Sequence, residues 1–227
     1  MSPFIVRSNR LLQAPLGLVP RILLVVSAAL LVLTYVTPLW DMTMFAPQYG
    51  EGLRLHIYSH QLVGGNGGND IKEINLLNHY IGMHDLTQES FKEFLWMPFI
   101  IGALGLLFLR AAVFGTIGHL VDVTMMFVYF GLFSLYSFAH KLWVYGHDLA
   151  PNAPVKVAPF MPPAFGGRQI ANFEVYSYPG PGSYAFAAVG LALVAGLVHA
   201  WRTDRRLRDE VAGADAGEGR GRPAETA

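Results

Sequence analysis

Thioether and imidazole donors crowd one part of this sequence. Met42 and Met44 stand one residue apart, His56 and His60 follow with three residues between them, and His79, Met83 and His84 come next. Thioether sulfur favours Cu(I) and imidazole accepts either oxidation state, so a His/Met set suits copper where thiolates are missing. The chain has no cysteine, which excludes disulfides, thiolate metal sites, iron–sulfur clusters and covalently attached c-type haem. On a helix, His79, Met83 and His84 fall within about a turn and a half, and His56 and His60 could clasp a metal together. The same residues have a plainer use. Methionine fills gaps at membrane interfaces, and a loop histidine is more often a hydrogen-bonded surface group than a ligand.

A second constellation pairs His119 with His199. If they sit at one depth on two facing antiparallel helices, their imidazoles could hold a b-type haem axially; alternatively each lies at headgroup level. Asp122, one turn from His119, is the most noteworthy ionisable group within the apolar runs. Such a residue serves proton relay, or is neutralised by a pair with Arg110 or His119. Other chemistries lack their parts. There is no phosphate-cradling Walker loop, no H-E-x-x-H and no G-x-S-x-G, and Gly64 to Gly68 does not bridge a strand and a helix in the dinucleotide pattern. No nucleophile, base and orienter assemble, so a non-catalytic protein is expected.

The elements that must position these residues are those of a membrane protein. Of 227 residues 53% are hydrophobic and 14% charged, well under the roughly 25% charged of a soluble domain. Net charge is zero and no basic stripe forms, which argues against a nucleic-acid partner. Four apolar runs are long enough to cross a hydrocarbon core of ~30 Å: 18–39, 94–114, 120–143 and 184–201. Trp40, Trp143 and Trp201 stand at interfacial depth. The turn 115–119 is short, so the second and third runs form an antiparallel hairpin. Arg7, Arg10, Arg21, Arg110, Arg202, Arg205, Arg206 and Arg208 fall on one side, which the positive-inside rule makes cytoplasmic. The expected fold is therefore all-α: four transmembrane helices, in a bacterium those of the inner membrane, with residues 1–17 and the tail 202–227 inside. The tail beyond Arg208 is Gly/Ala-rich and expected to be disordered.

Two loops then face the periplasm. In loop 40–93, residues 52–58 alternate like a half-buried strand. Asp70 with Glu73 reads as a capping box opening a helix over 70–82. Its apolar face, Ile71, Ile74, Leu77, Asn78 and Ile81, is expected to pack on the bundle or lie along the membrane interface. Loop 144–183 is rich in proline and aromatics and is expected to be an extended, turn-rich cover.

Two strings, Glu73 to Met83 (EINLLNHYIGM) and Ala171 to Gly180 (ANFEVYSYPG), resemble a family of small bacterial membrane proteins encoded beside nitrous oxide reductase and its copper-maturation factors. The resemblance covers the chain from the first span to the fourth and leaves out the tail. It implies an accessory role, helping deliver copper, electrons or a folded partner to a periplasmic copper enzyme in denitrification, and it transfers no ligand assignment. The expected function is a non-catalytic inner-membrane accessory protein presenting a His/Met surface to copper or to a periplasmic copper protein. Rival expectations are a structural docking subunit of a respiratory complex, a b-haem electron carrier through His119 and His199, and, more remotely, a transporter acting as an oligomer.

Overall fold

The computed structural model describes residues 12–220, with side chains to Thr203 in the last helix. Arg7, Arg10 and the end of the tail lie outside the described residues. Helix α1 spans Leu18–Val36, α3 Glu93–Phe114 and α4 Ile117–His147. Helix α5 begins at Pro181 and its backbone continues to Arg220, past the point where the tail was expected to lose structure. Each of the four contains a segment long and apolar enough to cross a membrane, Leu18–Val36, Glu93–Phe114, Ile117–His147 and Pro181–Thr203.

The bundle is apolar both inside and on its outer surface. Leu24, Leu31, Ile101, Leu104, Phe108, Leu120, Val189 and Leu193 form its core, while Val32, Leu106, Leu132 and Leu191 are exposed. Exposed leucines around a whole bundle are what lipid tails accept and water does not. At the α3–α4 hairpin, Thr116 caps α4: its Oγ1 accepts from the His119 amide, and His119 Nδ1 lies 2.9 Å from that oxygen and 3.3 Å from the Thr116 amide. Residues just before α1 clamp the hairpin, with Leu16 N donating to Gly115 O and Ile117 N to Ala14 O.

The all-α expectation fails at the other end of the bundle, which carries a five-stranded antiparallel sheet. Strand β1 is Trp40–Ala46, β2 Tyr49–Ile57, β3 Leu62–Gly64, β4 Gly166–Ile170 and β5 Phe173–Pro179, in the order β3-β2-β1-β5-β4. The topology follows from the helices. α1 runs into β1 and β5 runs into α5, so a pair of packed antiparallel helices continues as a pair of hydrogen-bonded antiparallel strands, with Trp40 opposite Pro179. Gly180 N donates to Leu39 O, Gly182 N to Pro38 O and Ser183 Oγ to Leu39 O. A Cβ on Gly180 would lie 2.5 Å from Pro38 O, so only glycine allows this crossing.

Helix α2, Asn69–Ile81, lies on the sheet and not on the bundle. Ile74, Leu77 and Ile81 enter one core with Met42, Met44, Leu53, Leu55, Phe173 and Val175. The expected apolar face is present; its partner is the sheet, whose alternating strands turn Met42, Met44, Leu53 and Leu55 toward it. Nor does the expected capping box form. Asp70 Oδ2 accepts from the Arg54 amide at 2.8 Å and Oδ1 from Asn66 Nδ2 at 2.9 Å, while Glu73 accepts from the Tyr49 hydroxyl. That hydrogen bond to Glu73 raises the Tyr49 pKa above its usual value, with burial and the carboxylate's charge as lesser causes. Both carboxylates thus tie α2 to β2. Gly82 ends α2 with φ +83°, a left-handed conformation that glycine adopts without strain.

Candidate functional site

The sheet has two faces with different chemistry, and it divides the donors that the sequence places close together. On β1 the side chains of Met42 and Met44 point inward and are buried, while Asp41 lies on the opposite face. On β2, Leu53 and Leu55 point inward; His56 lies across from Asp41 in the register, and its Nδ1 is 2.6 Å from Asp41 Oδ1. A one-residue difference in position therefore separates thioethers from imidazoles.

The His79–Met83–His84 group is split in the same way. Since α2 stops at Ile81, Met83 and His84 are not on the helix. Met83 turns inward beside the core, while His79 and His84 are exposed, the latter with Nε2 2.9 Å from Asp148 Oδ2. His60 is exposed beside Tyr58. Among the described residues no group of three or more histidine, aspartate or glutamate side chains could hold a metal ion. Of the haem-candidate residues, His119 Nδ1 is committed to the Thr116 cap and His199 is exposed on α5. Asp122 is exposed near the hairpin, and among the described residues no ion pair joins it to Arg110 or His119. The buried pair weighed for it is not formed.

What the inward-pointing residues build is a cavity of about 430 Å³ between the end of the bundle and the cap, meaning the sheet with α2 and the loops around them. The sheet supplies Trp40, Met42, Met44, Leu55 and Val175; Met83, Leu86 and Phe91 come from the segment after α2. The helices supply Phe94 and Met97 of α3, Phe127, Phe130 and Phe138 of α4, and Phe186 of α5. The length of α4 explains how such a space arises. Its 31 residues rise ~46 Å and the 22 of α3 only ~33 Å. Both helices start from the same hairpin, and Ser137 Oγ meets Glu93 at the first residue of α3, at 2.7 Å. Beyond Ser137, α4 projects alone into the cap and carries Phe138, Leu142 and Tyr145 to the cavity wall.

The loops that close the cavity are latched by side chains. Asn75 makes a two-way bond with Leu86, Oδ1 accepting from its amide at 2.7 Å and Nδ2 donating to its carbonyl at 3.2 Å. Gln88 does the same for Leu62, at 3.1 and 2.8 Å. Lys141 Nζ donates to Ser90 O at 2.8 Å and lies 5.3 Å from the centre of the Phe91 ring.

Against this apolar wall, a few polar atoms stand out. Among the described residues four buried side-chain oxygens have no hydrogen-bond partner, and three of them, Asn78 Oδ1, Glu93 Oε2 and Ser134 Oγ, belong to residues lining this cavity. An unpaired buried polar atom costs about 1–3 kcal/mol, and native folds keep few of them. All three oxygens are closed to water, so they lie behind the apolar lining of the cavity. Sequence reasoning reached Met42, Met44, Met83 and the buried face of Asn78. It missed Met97 and Ser134, which lie inside spans read for hydropathy alone, and Glu93, which it placed in the loop before the second span; the signal was the polar pair Ser134 and Ser137 spaced along one side of an apolar helix. No family model, curated protein or solved structure matches the chain.

Proposed function

We propose that this chain is a non-catalytic accessory protein of the bacterial inner membrane that holds a largely apolar small molecule between its cap and its bundle. The observation that carries the reading is the cavity itself. Its volume, about 430 Å³, is that of a site for an organic ligand, for which roughly 300–1,000 Å³ is usual, and is far more than a metal ion needs. Leu135 lines it and is also 60% exposed on the lipid-facing side of α4, which supports entry from the bilayer. The arginine distribution supports a periplasmic cap, and the sequence resemblance supports service to a periplasmic copper enzyme.

Native mass spectrometry of protein released from membranes tests this. A molecule bound at one per chain in the unaltered protein and lost in Gly131→Phe is expected; no bound molecule in either would contradict it. Gly131 lines the cavity and a Cβ there meets nothing within 4 Å, so the larger side chain occupies the space without disturbing the helix backbone.

One observation favours a second reading. Met42, Met44, Met83 and Met97 all line the same cavity, a thioether set that suits Cu(I) without any histidine. This reading predicts Cu(I) retained through chelator washing and lost in Met42→Leu with Met83→Leu, a change that keeps the apolar volume.

A further inference from the structure

The two edges of the cap sheet are finished differently. Gly180 N bonds Leu39 O in line with the pairing of β1 and β5, and backbone groups alternate in direction along an antiparallel strand. The even-numbered residues of β5 therefore bond β1 and the odd-numbered ones bond β4. Phe173, Val175 and Ser177 take Ile170, Arg168 and Gly166 as partners, which leaves the N–H and C=O groups of Gly167 and Gln169 pointing away from the sheet. Both residues are exposed, and among the described residues no hydrogen bond reaches those outward groups. At the opposite edge side chains close the ladder. Gln88 bonds both the N–H and the C=O of Leu62, Asp70 takes the Arg54 N–H, and Gly65 N takes the Arg54 carbonyl. An open sheet edge is a template for another strand, and folds commonly blunt it. This chain does so at β3 and leaves β4 without such a cap.

We infer that the β4 edge takes up an extended segment of another protein as a sixth strand, one with a carboxylate across from Arg168 and apolar side chains across from Gly167 and Gln169. Strand addition of this kind draws affinity from main-chain bonds and specificity from alternate side chains. Arg168 is exposed, its Nη1 donates to Met161 O at 3.0 Å, and among the described residues no carboxylate pairs with it. A guanidinium carries five N–H donors, so it has donors left for an incoming acid. On the other face the Tyr176 ring lies over Gly167, where a Cβ would stand 2.6 Å from its Cε1. The missing side chain leaves that ring open to an apolar neighbour. A second copy of the chain does not fit the edge. β5 runs into the bundle and β4 runs the opposite way, so a twofold axis pairing β4 antiparallel with itself would point the second bundle away from a shared bilayer. Parallel self-pairing would set Gly167 against its own copy, whereas a parallel ladder needs each bonding residue to face a non-bonding one. Head-to-tail addition needs the β3 edge, which Gln88 closes.

The test is fluorescence polarisation of the detergent-purified full chain with a dye-labelled, end-blocked heptapeptide of alternating valine and glutamate, read beside amide exchange at Gly167 and Gln169. The peptide is expected to bind and to slow exchange at those two amides. N-methylation of its valines, which removes the donors facing β4 and keeps the side chains, should weaken binding by about tenfold or more. Gln169→Pro, a change that edge strands accept, should do the same from the protein's side; the N-methylated peptide on unaltered protein serves if that variant does not fold. Arg168→Glu should weaken the glutamate peptide by about threefold or more and favour one with lysine in place of glutamate. Binding that ignores both N-methylation and Gln169→Pro, or no protection of the two amides at millimolar peptide, would overturn the inference. Protection of both amides in the chain alone, at the mass of a dimer, would also overturn it and give the edge to a second copy.

Discussion

The bundle and the cap solve opposite problems with neighbouring parts of one chain. In the bundle each helix satisfies its own backbone and needs only close packing with the next, so its polar side chains are few and its outer surface is leucine, valine and phenylalanine. The cap is built on hydrogen bonds between distant segments. β1 is paired on both sides, α2 is fastened by buried Asp70, and loops are latched by Asn75 and Gln88. The difference teaches where function can reside. A bundle this plain offers shape but few directed groups, and the cap adds directed polar groups over an apolar floor. At their junction lies the apolar cavity, with walls drawn from both regions.

Substitutions confined to one region should leave the other standing, and the largest effect is expected where the regions are wedged together. A Cβ on Gly146 would lie 1.9 Å from the Phe160 carbonyl oxygen, so Gly146→Ala must push the 148–165 segment off α4. A loss of about 3 kcal/mol in cap stability is expected, read as loss of the near-ultraviolet circular dichroism signal with helix content retained. Concerted loss of both signals would show that cap and bundle form a single cooperative unit and break the comparison.

Next in size is Asp70→Ala, which strands the Arg54 amide and releases Asn66. It should cost about 2 kcal/mol, with faster hydrogen exchange at β2 and β3 and none at Leu104 or Leu193 in the bundle core. His56→Ala removes a cross-strand pair with Asp41 whose partners are each about a third exposed. Less than about 1 kcal/mol is expected from such a pair. A loss several times larger would give the outer sheet face an unassigned role. The smallest effect belongs to Leu132→Ala on the lipid-facing surface, within about 0.5 kcal/mol.

How far each region was legible in the sequence follows the same division. A helix in lipid needs only length and apolar composition, so all four spans could be read from hydropathy, and α4 runs past its expected end at 143 only as far as His147. The strands needed a different reading. Met42-Thr43-Met44 looks like paired ligands until the alternation of the whole stretch is followed, Trp40, Met42, Met44 and Ala46 inward with Asp41, Thr43 and Phe45 on the other face. Phe173, Val175 and Ser177 alternate in the same way on β5, yet the prolines before them made the whole loop read as extended cover. Pairing of β1 with β5 joins residues 129 to 139 positions apart, and no local pattern reports it. The cavity was illegible for the same reason, because its walls come from both ends of the chain and meet only through that pairing.

The central claim is that the cap and the bundle jointly enclose a site for an apolar molecule that enters from the bilayer. The most direct measurement is photolabelling in vesicles with a diazirine-bearing alkyl probe, mapped by peptide mass spectrometry. The account predicts label on Met42, Met44 or Met83 in the cap together with Phe127 or Phe130 in the bundle, suppressed by Gly131→Phe. Label confined to lipid-facing residues such as Leu132 and Leu191, with the cap unmarked, would contradict it.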